Sequence, residues 1–161
     1  MAVLGVLADD FTGACDTGVQ FARAGMRTRM VMSSAMALKR FGIDVVAYST
    51  ETRNLESNDA YRRVRDAAAF LSRNQIDIVF KKIDSTLRGP VAAELDGALD
   101  ESGFHLAVVC PAFPANRRTL QDGILFVDGK PLESVTHAPR PPPSPQPVGC
   151  RKHTSNPRFE T

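Results

Sequence analysis

Apolar runs of strand length alternate with amphipathic segments along the first 110 residues. The apolar runs are residues 3–8, 28–32, 44–49, 77–83 and 106–110. Several segments between them carry apolar residues at three- and four-residue steps, most clearly 57–74, which is the spacing of a helix with one buried face. Strands separated by helices predict an α/β fold with a mostly parallel, doubly wound sheet and flanking helices.

Local signals set the expected ends of the helices. Thr12 is the predicted N-cap of the first helix, and Gly25 is expected to end it. Ser57 is the predicted cap of the second long helix, and Pro90 suits the first position of the third. The segment 35–41 is expected to form a brief additional helix.

A β-hairpin is predicted on the C-terminal side of these elements. The segments Gly123 to Val127 and Lys130 to Leu132 are the predicted strands, and they are separated by Asp128-Gly129, a dipeptide typical of tight hairpin turns. The expected fold is therefore a parallel sheet with helices, followed by a C-terminal hairpin.

Two adjacent carboxylates, Asp9 and Asp10, directly follow the first predicted strand. Ligand sites of doubly wound folds lie at the carboxyl ends of the strands, where free helix N–H groups attract anions. Carboxylates in such a corner orient hydroxyl groups, bind a metal or act as a base. The alternative is an acidic first turn that only complements the helix dipole. We favour a functional interpretation of this pair.

A second polar stretch, Lys81 to Gly89, leaves the fourth predicted strand with two lysines, one aspartate, two hydroxyl side chains and one arginine. Alternation along extended backbone places Lys82 and Asp84 on one face and Lys81 on the other. Arg88 is suited to a bidentate contact with a carboxylate, and Asp84 and the hydroxyls suit hydroxyl groups, so the stretch predicts a pocket for a small acid. A solvated loop with a local Lys–Asp pair is the alternative.

A third stretch, Cys110 to Thr119, contains two prolines and two arginines. Its arginines could reach the same corner, or the segment is a rigid connector with exposed arginines. Cys15 and Cys110 are interpreted as small buried apolar residues. His105 and His137 have no companions at metal-ligand spacing, so no metal site is expected.

Composition restricts the classes of function. No apolar run approaches the roughly 18 residues of a membrane span, and three scattered cysteines fit a reduced, cytoplasmic protein. Residues 139–161 hold four basic and one acidic residue, which leaves 1–138 with a net charge of −1 and no nucleic-acid footprint. The chain has no P-loop, no G-x-G-x-x-G after the first strand and no H-E-x-x-H. The expected ligand is a small molecule, with neither nucleic acid nor membrane as a partner.

Taken together, these stretches resemble the four-carbon acid sugar kinases. The shared motifs are A-D-D-F-T-G-A at 8–14, D-T-G-V-x-x-A at 16–22, K-K-x-D-S-T-L-R-G at 81–89, P-A-F-P-x-x-x-R-T at 111–119 and G-x-x-x-V-D-G-x-P-L at 123–132. The resemblance extends over about residues 2–138, and several separate long motifs make it specific.

This resemblance implies an ATP-dependent kinase that phosphorylates threonate, erythronate or a 3-oxo-tetronate. It further implies an N-terminal α/β domain that holds the acid and a separate C-terminal domain that binds ATP, so ATP and Mg²⁺ should not bind tightly to this chain alone. The substrate-binding candidates that it implies are Asp9, Asp10, Lys82, Asp84, Ser85 and Arg88, with Arg88 on the carboxylate. Asp10 is preferred over Asp9 as the catalytic base that deprotonates the attacked hydroxyl.

The C-terminal segment departs from the family pattern. Residues 1–138 match the sugar-acid-binding domain, whereas 139–161 hold seven of the 11 prolines and show no periodicity, so a disordered tail is expected. We expect a shift of reading frame as the origin of this composition, since the ATP-binding domain that the resemblance implies does not follow, and a native proline-rich linker or partner-binding tail is the alternative. We expect a substrate-binding portion that is inactive alone. The alternative is a stand-alone small-acid-binding module or subunit that relies on a nucleotide-binding partner in trans.

Overall fold

A computed structural model describes residues 4–35, 42–76, 78–102 and 106–135. Four strands form its main sheet: β1 (Leu4–Ala8), β2 (Thr28–Val31), β3 (Val45–Ser49) and β4 (Ile78–Lys82). Three long helices accompany them: α1 (Phe11–Arg23), α2 (Ser57–Arg73) and α3 (Val91–Ser102). These elements lie where the apolar pattern predicts them, which confirms the α/β fold class.

All four strands run parallel, in the order β2-β3-β1-β4. The register aligns Ala8, the last residue of β1, with Ser49 of β3 on one side and Lys82 of β4 on the other. The loops that follow three neighbouring strands therefore begin at the same level of the carboxyl edge of the sheet.

Helices cover both faces of this sheet, because successive strand residues point to opposite sides. On one face, Val6 and Ala47 are buried against Phe21 of α1. On the other face, the buried cluster joins the sheet to α2 and α3 and includes Leu7, Val46, Tyr48, Val64, Ala67, Leu71 and Ala98. The result is a three-layer arrangement with two apolar cores.

A second, antiparallel sheet follows. It consists of β5 (Arg118–Gln121), β6 (Ile124–Val127) and β7 (Lys130–Pro131), with β6 in the centre. A 3₁₀ turn over Pro114–Asn116 precedes it, and a short helix, α4 (Leu132–Val135), follows it. The predicted hairpin corresponds to β6 and β7, whereas β5 was not predicted.

The predicted N-cap residues of α1 and α2 are wrong. Asp10, not Thr12, caps α1, because its extended backbone places Oδ1 2.8 Å from the Gly13 N–H that donates to it. Ser57 is the first residue of α2, and the N-cap residue Glu56 makes no side-chain capping hydrogen bond. In the first case β1 ends at Ala8, and Asp10, two residues later, takes the capping position ahead of the threonine.

The predicted fifth strand is also wrong. Residues 106–110 pair with no described strand, and Leu106 and Val108 are 79% and 87% exposed. Cys110 is exposed and Cys15 half-buried, so the interpretation of both as buried residues is wrong. The brief helix predicted for 35–41 lies almost entirely outside the described residues, as do Val3, His105, His137 and the segment 139–161. Among the described helices, none combines the length and apolarity needed to cross a membrane.

Candidate functional site

Three loops at the carboxyl edge of the parallel sheet form the candidate site. They follow β1, β3 and β4. The chain leaves β1 toward α1 on one face of the sheet, and it leaves β3 toward α2 on the opposite face. A crevice opens where neighbouring connections diverge in this way, and it is the usual position of ligand sites in open parallel sheets.

Arg53, in the loop after β3, binds both adjacent carboxylates. Its Nε and Nη2 donate to Asp9 at 2.8 and 3.0 Å, and its Nη1 donates to Asp10 at 2.6 Å. The hydrogen bond to Asp9 is the main cause that raises the pKa of Arg53 above its ordinary value, so the guanidinium stays charged. Asp9 is only 2% exposed, and Arg53 therefore offsets a charge that would otherwise be buried without a partner.

Backbone contacts hold this loop against its neighbours. The N–H groups of Thr52 and Arg53 both donate to the Asp9 carbonyl, at 2.9 and 3.2 Å. On the other side, Gly89 has a φ of +94°, and a Cβ atom at this position would lie 2.9 Å from the Arg53 carbonyl oxygen. A side chain at Gly89 would thus be strained and would separate the loops after β3 and β4.

Asp10 has two roles at the carboxyl edge of the sheet. Its Oδ1 caps α1 at Gly13, while its Oδ2 accepts the hydrogen bond from Arg53. Its side chain is 24% exposed. Of the two adjacent aspartates, Asp10 is therefore the one that a ligand can reach.

Asp84 organises the loop after β4. Its Oδ2 accepts hydrogen bonds from the Thr86 N–H and from Arg88 Nε, each at 3.0 Å, and its Oδ1 accepts one from Arg88 Nη2 at 2.7 Å. Burial would raise the pKa of Asp84, but the hydrogen bonds from Arg88 and Thr86 outweigh it and hold the pKa well below its usual range. The Asp84 Oδ1 atom also lies 3.9 Å from Arg53 Nη2, which links the two polar clusters.

Arg88 presents its outer edge to solvent. Its side chain is 68% exposed, and among the described residues its Nη1 has no hydrogen-bond partner. A guanidinium that is fixed at one edge and open at the other can receive a carboxylate with little loss of side-chain freedom.

The two adjacent lysines of β4 point to opposite faces, as alternation predicts. Lys82 lies against the start of α1, since a Cβ atom added to Gly13 would be 3.5 Å from the Lys82 Cγ. The Lys82 Nζ donates a hydrogen bond to the Ile83 carbonyl at 2.6 Å. Lys81 instead forms a buried ion pair with Glu94 of α3, with Nζ and Oε2 2.7 Å apart.

A cavity of about 1080 Å³ adjoins the site between α1, β4, α3 and residues 106–113. Lys82 and Ser85 line it, together with mostly apolar side chains. The structure therefore brings Asp9, Asp10, Asp84 and Arg88 together around Arg53, and it places the candidates Lys82 and Ser85 at the adjoining cavity.

Sequence reasoning missed Arg53, which contacts three of the predicted carboxylates. The signal that could have found it is its position, four residues after a buried strand that neighbours β1. The arginines of the third stretch make their polar contacts locally: Arg117 pairs with Asp128 at 3.0 Å, and Arg118 Nη1 donates to the Asn116 carbonyl at 2.6 Å.

The described carboxylates do not fit a resident Mg²⁺ ion. Asp9, Asp10 and Asp84 each already accept hydrogen bonds from arginine side chains. Within the described ranges, no three His, Cys, Asp or Glu side chains are grouped so that they could hold a metal ion. The arrangement instead suits a small molecule that carries both a carboxylate and hydroxyl groups.

The chain is similar to known proteins over most of its length. Residues 4–144 match the family described as "Sugar-binding N-terminal domain". The chain is 40% identical over 143 residues to the D-threonate kinase of Bordetella bronchiseptica, which covers 86% of this chain and 35% of that protein. It is also 40% identical over 143 residues to the D-erythronate kinase of Heliobacterium modesticaldum, covering 87% of this chain and 32% of that protein.

A solved structure shares the fold. It is a crystal structure from Bordetella bronchiseptica, described as a domain of unknown function with bound citrate in a domain-swapped dimer. The TM-score is 0.78 at 38% identity, and the match covers 81% of this chain and 34% of that one. This chain spans about a third of the length of the proteins that it matches.

Proposed function

The chain belongs to the sugar-binding N-terminal domain family, and we propose on this premise that its site binds a four-carbon sugar acid as the substrate-binding portion of an ATP-dependent kinase. Threonate, erythronate and 3-oxo-tetronate are the candidate acids. The observation that carries the proposal is one sheet edge with an open arginine beside carboxylates that a second arginine holds in place.

In this proposal Arg88 binds the carboxylate of the acid through its open Nη1 edge. Asp10 is the base: a carboxylate oxygen takes the proton of the substrate hydroxyl, whose oxygen would attack the γ-phosphorus of ATP held by a nucleotide-binding domain and displace ADP. Arg53 holds Asp10 in position during this step. Lys82 and Ser85 extend the pocket toward the adjoining cavity, where a cation and a hydroxyl group are available to further oxygens of the substrate.

Calorimetric titration tests the binding step. D-threonate and D-erythronate should bind to the folded chain, while threitol and erythritol, which have the same carbon number and no carboxylate, should not. Citrate, which the Bordetella structure holds, should compete because it is also a hydroxy acid. Equal binding of acid and polyol, or no binding of any acid, would overturn the proposal.

We also propose that the chain alone does not complete phosphoryl transfer. This proposal is supported by its span of only about a third of the kinase relatives. With D-threonate and ATP-Mg²⁺, a coupled assay for ADP should detect no turnover although the acid binds. Sustained ADP release from the purified chain would contradict this part alone.

The alternative function is a stand-alone acid-binding subunit with a nucleotide-binding partner in trans. The described residues of the site, Asp10, Arg53 and Arg88 among them, all belong to this chain, and this is the observation that favours the alternative. Restoration of turnover by a separately purified nucleotide-binding protein would support this alternative.

A further inference from the structure

A buried polar network lies directly beneath the candidate site. Glu94 in the first turn of α3 is 1% exposed, and its Oε2 pairs with Lys81 Nζ at 2.7 Å. Its Oε1 accepts a short hydrogen bond from the hydroxyl of Thr52, which is fully buried. Three elements, β4, α3 and the loop after β3, thus meet at one carboxylate.

This network continues toward β1. The Thr50 hydroxyl donates to the Ala8 carbonyl at 2.8 Å, and its oxygen lies 2.8 Å from that of Thr52, whose one proton goes to Glu94. Thr52 is also the residue immediately before Arg53. A side-chain anchor at Thr52 therefore restrains the backbone from which the guanidinium reaches Asp9 and Asp10.

The loop needs such an anchor because its backbone is not regular. Glu51, directly before Thr52, has a φ of +51°, in the left-handed region that non-glycine residues adopt at a cost. Two backbone hydrogen bonds to the Asp9 carbonyl fix the loop on the β1 side. The contact from Thr52 to Glu94 fixes it from the side of β4 and α3.

We propose that Glu94 is a positioning residue, which acts through Thr52 to hold Arg53 in the geometry that clamps Asp9 and Asp10. Lys81 keeps this carboxylate paired in the interior. Glu94 is too deeply buried to touch a substrate itself. The expected effect on ligand affinity rests on the proposed function, whereas the expected effect on Arg53 does not.

Side-chain hydrogen exchange of Arg53, followed by NMR in the ligand-free chain, tests the inference. The variants are Glu94→Gln, which removes the charge, and Thr52→Val, which keeps the ion pair and removes the loop hydroxyl that donates to Glu94. Glu101→Gln, an exposed carboxylate on the same helix, is the matched control. Backbone amides of Val6 and Ala47 report global opening, since both residues are fully buried in the sheet.

Exchange of the Arg53 Nε–H should become about tenfold faster in Thr52→Val, and in Glu94→Gln where that variant folds, while the Val6 and Ala47 amides keep their protection. The affinity for D-threonate should fall in the same variants and not in Glu101→Gln. Unchanged Arg53 exchange in Thr52→Val, or acceleration only in proportion to the sheet amides, would overturn the inference. If the unmodified chain binds no acid, the proposed function fails while Arg53 exchange still decides the role of Glu94.

Discussion

Arg53 shows how one side chain makes an acidic corner compatible with folding. A carboxylate that is 2% exposed, such as Asp9, is costly to bury without a countercharge. The guanidinium supplies two hydrogen bonds to Asp9 and a third to Asp10. The planar fork of arginine matches this geometry, whereas the ammonium group of a lysine would not.

We predict that Arg53→Ala lowers the free energy of unfolding by about 3 kcal/mol, because it leaves Asp9 buried and uncompensated. Urea denaturation measures this change. Arg62→Ala is the matched control, since Arg62 lies on the adjacent helix α2, is 68% exposed and makes only a 3.7 Å surface pair with Asp59. Similar unfolding free energies for the two variants would contradict a central role for Arg53.

The depressed pKa of Asp84 predicts a pH dependence. In the unfolded chain an aspartate protonates near a pKa of about 3.9. In the folded chain burial opposes ionisation, but bonds from Arg88 and Thr86 outweigh it and keep the pKa lower. Ionised Asp84 therefore contributes its full stabilisation of the folded state above a pH of about 4. This contribution decreases as the pH falls below that value.

The Tm of the unmodified chain should therefore exceed that of Asp84→Asn by the largest amount at about pH 5–7. This difference in Tm should become smaller as the pH falls toward about 3. Calorimetric scans across this range measure it. Asp59→Asn, an exposed carboxylate on α2, controls for the change of net charge. A difference in Tm that stays constant with pH would show that the charge of Asp84 contributes nothing to stability.

At the scale of elements, the close contact of α2 and α3 fixes the start of α3 and with it Glu94. Gly97 makes this contact possible: a Cβ at this position would lie 2.4 Å from the Tyr61 carbonyl oxygen. Backbone cannot move aside as the end of a side chain can, so the two helices would have to separate.

Gly97→Ala should therefore lower the unfolding free energy by about 1–3 kcal/mol, despite the higher helix propensity of alanine. Gly18→Ala in α1 is the matched control, because its Cβ would meet neighbours at 3.4 Å or more. That variant should be neutral or gain up to about 1 kcal/mol. Equal effects of the two substitutions on urea denaturation would rule out the close approach at Gly97.

The strands were predictable as short apolar runs, and the long helices were predictable from apolar residues at helical spacing. The N-cap at Asp10 and the loop around Arg53 were not, because they depend on contacts between segments that are distant in the chain, such as Arg53 with Asp9. Strand β5 was missed because Arg118 to Gln121 shows no alternation and is defined by pairing with β6. For residues 106–110 the apolar pattern predicts a strand, but this segment pairs with no described strand.

At the scale of the whole molecule, the chain matches a sugar-binding family over residues 4–144 and spans about a third of its kinase relatives. The parallel register brings three loops to one level of the carboxyl edge of the sheet. Two arginines at this edge have different roles. Arg53 is committed to the carboxylates of the chain, while Arg88 keeps an open edge. We propose that this open edge receives the carboxylate of the sugar acid.

The most direct test is the Kd of D-threonate for Arg88→Ala beside Arg117→Ala, measured by calorimetry on variants whose Tm shows that they are folded. Arg117 is 81% exposed and lies in the second sheet region, so it controls for the loss of an exposed arginine. Arg88→Ala loses a charge-assisted hydrogen bond, so its Kd for D-threonate should rise by about tenfold or more. The Kd of Arg117→Ala should equal that of the unmodified chain. Equal affinity of Arg88→Ala and the unmodified chain would contradict the assignment of Arg88 to the acid.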